Sequence, residues 1–366
     1  MNMMKAHTFL CAALALWGSA ANAQQSVRLG AEVERIENPL LSNVSPGGAT
    51  VVRLLPSYEY ETQRDRIRSR FTLGAVLERS SNTQLLASRD YPSLGYTWGY
   101  TWPTASLELR ASLAESATRN TELQDFGRVT VDSRERTVLA GATWTKELTA
   151  RTRMALGFED NRVSYDTPLL RGYREQEINS RFSWEASERT SYFIEPAHAR
   201  LTPSGAGATS TLNRLLVGMT GELAPDWSLT VFGGQARTGS TQKRSDNVGG
   251  LRLNYAGSRI STAVEWARDM EPVGTIAGYA RTEALRLRVA YQLTDKATVA
   301  ATASRSRSVG FTSGTGSVIS VTLENELAER WSSVLGVEDR RATDVVGATG
   351  RGWAVRAGLV YLFSGR

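Results

Sequence analysis

Arginines at every second position are the residues of this chain best placed to do chemistry: Arg66, Arg68 and Arg70 in one run, Arg286 and Arg288 in another. A guanidinium stays charged and presents a planar fork of donors that matches carboxylate, phosphate and sulfate oxygens. Side chains alternate across a β-strand, so a spacing of two puts each run on one face. Arg153, Arg181 and Arg356 join that face by the parity of their own segments. Lining water inside a pore, such a row favours anions or an acidic polymer. Glu32, Glu34, Glu59, Glu61, Glu78, Glu159, Glu265 and Glu338 share the same face. Cross-strand ion pairs that stiffen a wall are therefore the competing reading, and any anion preference should be mild.

Other chemistry is sparsely provided. His7 lies in the leader, which leaves His198, followed by Ala199 and Arg200 with no serine motif nearby. A hydrolase would need a histidine held against a nucleophile or carboxylate. No His/Cys cluster suggests a transition metal, and no cofactor is expected. The glycine-rich runs 310–316 and 347–352 read as outer loops, because no helix follows to make a phosphate cradle. The chain reads as a non-enzyme.

The arginines sit in segments with a regular pattern. From Trp353 to Phe363, Trp353, Val355, Ala357, Leu359, Tyr361 and Phe363 form one face, with Ala354, Arg356, Gly358, Val360 and Leu362 on the other. Leu285, Leu287, Val289, Tyr291 and Leu293 likewise oppose Arg286, Arg288, Ala290 and Gln292. Segments of this kind, each about ten residues long, recur down the chain, as in strands with lipid outside and water inside. The expected fold is all-β: an antiparallel transmembrane β-barrel of about 18 strands, with N- and C-termini periplasmic.

Composition agrees. Lys5, the apolar run 9–17 and the Ala21-Asn22-Ala23 site read as a signal peptide over 1–23, leaving 24–366 as the barrel. Cys11 leaves with it, so disulfides cannot hold the exported chain. The mean hydropathy of −0.29 fits strands of which only alternate residues meet lipid. There are 39 Arg against 4 Lys, and the net charge is +6. Without a long basic run and with export expected, nucleic acid is not a partner.

Two further patterns support the barrel. Links after even-numbered strands are short and polar, whereas several after odd-numbered strands, such as 37–49, 115–132, 161–173 and 236–246, are longer. Short periplasmic turns and long outer loops are the rule in outer-membrane barrels. Tyr58, Tyr60, Tyr100, Trp102, Trp144, Trp184, Trp227, Tyr255, Tyr291, Trp331 and Tyr361 cluster near the short-turn ends, as an interfacial girdle would. A soluble β-sandwich shares the alternation but explains neither pattern.

Leu55-Pro56-Ser57-Tyr58-Glu59-Tyr60, then Arg68-Ser69-Arg70-Phe71-Thr72-Leu73, and the succession of hairpins behind them resemble the β-barrel porins encoded with exopolysaccharide export systems in Gram-negative bacteria. The resemblance implies an outer-membrane channel assisting passage of a polysaccharide or oligosaccharide, acidic or neutral, with a periplasmic export partner. Outer-membrane lipid and lipopolysaccharide would surround it. Two other functions fit the residues: a diffusion porin for small anions or sugars, and a non-conducting surface interaction barrel. No plug or domain is expected ahead of Ser26, which argues against a TonB-dependent receptor. No loop is long enough to be an obvious constriction loop, and about eighteen strands leave a lumen wide enough for a hydrated sugar chain unless loops fold inward. Few aromatics face it by parity, Phe232 most clearly, which counts against sugar stacking.

Overall fold

The computed structural model describes residues 23–126, 131–239, 244–273, 278–309, 313–344 and 347–365. The predicted signal segment lies outside these residues, save Ala23, with which the first strand opens. Strands β1 (Ala23–Glu37), β2 (Gly48–Arg64), β3 (Ile67–Ser80), β4 (Arg89–Trp102) and β5 (Ala105–Ala117) lead into a short helix, α1 (Thr118–Phe126). Then come β6 (Arg134–Thr149), β7 (Thr152–Tyr165), β8 (Tyr173–Ser187), β9 (Thr190–Pro203), β10 (Ser210–Ala224) and β11 (Trp227–Gly239). The chain ends with β12 (Arg244–Ala256), β13 (Ile260–Val273), β14 (Gly278–Thr294), β15 (Ala297–Val309), β16 (Gly314–Ala328), β17 (Trp331–Thr343) and β18 (Thr349–Gly365).

Each strand pairs antiparallel with its sequence neighbours, and β1 pairs with β18 from Gln25↔Gly365 to Glu37↔Trp353. The result is a closed 18-stranded antiparallel barrel, as the alternation predicted. Closure leaves no edge strand. In hydrocarbon, where no water can satisfy a free N–H or C=O, a sheet must close in this way.

Register fixes the two faces. Leu29 lies opposite Pro56 and Tyr361, and Val33 opposite Val52 and Ala357, so the apolar residues of adjacent strands share the outward side. There they stay about half exposed: Leu54 52%, Val217 53%, Ile319 56% and Val337 52%. Burying one such side chain is worth about 1.5–3 kcal/mol, so a continuous outward band of them needs hydrocarbon. Paired rings flank the band at one end, Trp227 with Tyr255 at 4.8 Å and Trp331 with Tyr361 at 4.9 Å between centroids.

That ring-bearing end is the turn end, where β2–β3, β4–β5, β6–β7 and the later even-to-odd links are two- or three-residue turns. Asp65 takes a φ of 51° in the first of them, the left-handed region that aspartate tolerates in a tight turn. The opposite, loop end departs from expectation. The predicted 236–246 loop is mostly strand: β11 runs to Gly239 and β12 starts at Arg244. Strands of 13–17 residues exceed the roughly 9–11 needed to cross a bilayer. The surplus extends the barrel wall beyond the apolar band at the loop end.

Candidate functional site

By register, the inward face of β2–β4 carries Arg53, Glu78 and Arg89, and β1 adds Glu32 and Glu34. The Arg53 guanidinium donates to Glu32 at 2.7 Å and to Glu78 at 2.8 Å, and contacts Glu34 at 2.6 Å. Buried carboxylates this close are tolerable only with cations between them. The next cation comes from a distant part of the chain. Arg119, on α1, donates from Nη2 to both Glu78 oxygens at 2.8 Å and from Nη1 to Asp132 at 2.7 Å. Arg89 holds the other Asp132 oxygen at 3.1 Å. Burial works against the Arg119 charge, but Glu78 and then Asp132 outweigh it and hold its pKa above the ordinary arginine value.

This chain of charges pins the first turn of α1 inside the barrel. Thr118 ties the two ends of the link together, its N–H donating to the Ser133 carbonyl and its hydroxyl accepting the Ser133 N–H, each at 2.9 Å. Beyond Arg119 the helix crosses the lumen to β14–β16. On that side Ser306 Oγ donates to the Leu123 carbonyl at 2.9 Å. Leu123 packs with Leu41 of the β1–β2 loop, Ala342 of β17 and Val318 of β16. The helix α1 is therefore a constriction element, so a link without the length of an obvious constriction loop folds inward and narrows the lumen. Length was a poor guide, because nine helical residues with anchors on both walls suffice.

A second element narrows the same end. The β12–β13 ladder stops at Gly249↔Arg268, whereas the β13–β14 ladder continues to Val273↔Gly278. Released from β12, the hairpin leans inward. Met270 packs with Leu212, Leu216, Ala236 and Val248, all inward-facing. Tyr279 Oη donates to Glu175 of β8 at 2.8 Å, six strands away around the barrel. Below these elements, toward the turn end, the inward face is polar.

There the wall divides into paired and unpaired stretches. Arg70 meets Glu59 at 2.8 Å, Arg68 meets Glu61 at 2.7 Å, and Arg252 meets Glu265 at 3.1 Å. Arg110 pairs with Glu159. Arg181 lies 3.5 Å from Glu195 and stacks over the Phe193 ring at 3.7 Å. Arg286 and Arg288 are exposed on the inward face of β14 and have no carboxylate partner among the described residues. Glu265 of β13 stands across from Arg286 but is engaged by Arg252, and on β15 Ser304 and Thr302 face the pair, the latter hydrogen-bonded to Ser320 at 2.7 Å. Such a stretch, positive and rich in hydroxyls, can exchange hydration water for an anion's oxygens.

No protein-family model matches the chain, and no characterised protein matches it in sequence. Solved structures do. OccAB4 of Acinetobacter baumannii superposes with a TM-score of 0.54 at 10% identity, over 94% of this chain and 99% of that one. The outer membrane protein OpdK of Pseudomonas aeruginosa gives 0.53 at 11% identity over 95% and 100%. OccK7 (OpdD) of the same organism gives 0.52 at 12% over 94% and 100%. The fold is that of an outer-membrane porin.

Within this barrel the arginines expected to line the lumen have different surroundings. Arg68, Arg70, Arg153, Arg181, Arg286, Arg288 and Arg356 all come from strands, on the inward face. Arg66 lies in the exposed β2–β3 turn at the rim, one residue before β3 begins. Arg68 and Arg70 of the first run are thus neutralised by glutamates, whereas Arg286 and Arg288 have no carboxylate partner among the described residues. Arg356 donates to Thr322 Oγ1 at 3.2 Å, and Arg153 lies 3.6 Å from Glu147. His198 points outward and hydrogen-bonds Asn213 at 2.8 Å, far from the lumen. Sequence parity missed the inward aromatics Phe193, Tyr173 and Tyr279, because β9 and the loop ends of β8 and β14 alternate without an apolar outward face to count from. It also missed Gly350 and Gly352. These lie on β18, not in a loop, and a Cβ on Gly350 would meet the Leu41 carbonyl oxygen at 1.6 Å.

Proposed function

We propose that this protein is a diffusion channel of the outer membrane for small anionic solutes, with short turns and both termini in the periplasm. The observation that carries the reading is the pair Arg286 and Arg288, exposed on the inward wall without carboxylate partners among the described residues. They lie below a mouth narrowed by α1 and the β13–β14 hairpin. Unneutralised guanidiniums beside a constriction attract anions and release them, because a solvated site binds weakly. One of the similar structures is OpdK of Pseudomonas aeruginosa with vanillate, at a TM-score of 0.53. Vanillate is a small carboxylate, the kind of group a guanidinium fork accepts.

Passage of a polysaccharide, with a periplasmic export partner, fits less well. A threading polymer would have to displace α1, which is latched by a buried ion pair on one wall and by apolar packing on the other. The test is single-channel conductance of the refolded mature chain in a planar bilayer under a salt gradient. A small, stable, anion-selective conductance supports the proposal. A large non-selective conductance, a cation-selective one, or silence after verified insertion overturns it.

A further inference from the structure

The outward face carries a feature that a channel does not need. On β15–β18, at the upper edge of the apolar band, Arg305, Ser317, Arg341 and Arg351 lie directly opposite one another in register, and all point outward. Arg307 stands two positions further along β15 on the same face. Acidic groups nearby are few and already engaged. Asp339 accepts from Arg341 at 3.1 Å and from Arg351 at 2.7 Å. Glu283 lies 3.6 Å from both Arg268 and Arg281, and Glu37 is held by Arg35. Arg305 and Arg307 are exposed, with no carboxylate partner among the described residues. Like charges set side by side across strands repel. One carboxylate, Asp339, serves both Arg341 and Arg351, and none among the described residues serves Arg305. The row therefore keeps a net positive charge that suits anions from outside the chain.

Directly below the row, an open outward groove of about 630 Å³ runs between Ile319, Val321, Val337, Trp353 and Val355, with Arg351 at its rim. Its floor is apolar, and its upper edge carries Arg351 and Asp339, the one carboxylate that Arg341 and Arg351 share. We propose that this surface binds lipopolysaccharide of the outer leaflet, an acyl chain in the groove and lipid A phosphates on Arg305, Arg341 and Arg351. Guanidinium forks take phosphate oxygens in pairs, in short charge-assisted hydrogen bonds. Each half of the site excludes simpler occupants. A free anion leaves the groove unfilled, and a neutral lipid leaves Arg305 without a counter-ion. The assignment rests on the reading that the loop end faces the cell exterior.

The test offers the delipidated full-length barrel, in detergent micelles, lipid A, dephosphorylated lipid A or phosphatidylglycerol, and reads bound lipid by native mass spectrometry. Lipid A should bind about tenfold or more tightly than the dephosphorylated form, the difference expected of charge-assisted contacts. The triple variant Arg305→Gln, Arg341→Gln, Arg351→Gln should lose that difference. Arg305→Gln alone breaks no ion pair and should lose part of it, which keeps the test open if the triple variant does not fold. Equal binding of dephosphorylated lipid A, equal binding of phosphatidylglycerol, or full binding by a folded triple variant overturns the assignment. Arg286→Gln with Arg288→Gln should leave lipid A binding intact, so the lipid site and the channel reading fail separately.

Discussion

Arg119 and Glu78 lie 41 residues apart in sequence, and in space one nitrogen of the guanidinium donates to both carboxylate oxygens at 2.8 Å. Both side chains are almost wholly excluded from solvent, at 1% and 2% exposure. This contact converts a surface link between two strands into a bar across the lumen. It also closes a run of charges from Glu32 through Arg53, Glu78, Arg119 and Asp132 to Arg89, so no member is buried alone.

Replacing Arg119 by Ala should therefore unlatch α1. Breaking a buried pair by removing one partner costs about 3–5 kcal/mol, because the other charge stays buried. Arg53 still holds Glu78, which places the cost at the lower end. The expected readouts are a larger single-channel conductance and faster amide exchange over residues 118–126. Unchanged conductance with α1 still protected would show that the Leu123 side alone suffices to hold it.

Ion selectivity should depend on the unpaired arginines. In water at contact distance a unit charge is worth roughly 1 kcal/mol, about a factor of five. Arg286→Gln with Arg288→Gln should then lower the anion-to-cation permeability ratio severalfold, read as a shift in reversal potential. The paired variant Arg70→Gln with Glu59→Gln removes one charge of each sign and should leave the reversal potential where it was.

Gly350→Ala tests the seat of the β1–β2 loop. The new Cβ would lie 1.6 Å from the Leu41 carbonyl oxygen and 2.2 Å from its carbonyl carbon, both backbone atoms that cannot swing aside. The loop must lift, and with it the Leu41–Leu123–Ala342 contact. Overpacking of this sort costs about 1–3 kcal/mol. A lower unfolding temperature and faster exchange over residues 38–47 are expected, with the barrel still formed.

Acid should loosen a second attachment of the 115–132 link. Asp166, in the β7–β8 loop, accepts from the Ser133 hydroxyl and, at 2.8 Å, from the Arg134 N–H. Burial acts to raise its pKa, but these hydrogen bonds and the Arg89 and Arg134 charges prevail, leaving it below the ordinary aspartate value. A depressed folded pKa means that the stabilisation is complete above the unfolded value, about 3.9, and is lost as pH falls through the folded one. Exchange protection at Ser133 and Arg134 should stay flat from neutrality to mildly acid pH and fall only below the usual carboxylate range. Asp166→Asn should abolish that acid step.

Much of the barrel was legible in the chain because strand alternation is a local property. Leu285 to Leu293 and Trp353 to Phe363 declare their two faces without reference to any other residue, and eighteen such segments imply a closed sheet. Turn length and the girdle positions Trp227, Tyr255, Trp331 and Tyr361 are equally local. Parity also assigned Arg53, Glu78 and Arg286 to one face, and register sets Arg53 opposite Glu78 and Arg286 opposite Ser304.

What parity cannot supply is a partner. Arg70 and Arg288 have the same local setting, yet register sets Arg70 opposite Glu61 and within 2.8 Å of Glu59, and Arg288 opposite Thr302. Only the first is neutralised. Nor could the 115–132 segment reveal that it folds inward, since its anchors, Glu78 on one wall and Ser306 on the other, belong to distant strands. The amino-acid sequence by itself determined the barrel, its two faces and its membrane band, because these follow from period-two alternation and solvent transfer. Tertiary structure alone decided which charges are free and how far the mouth is closed, because ion pairing and loop docking depend on residues brought together only when the barrel closes.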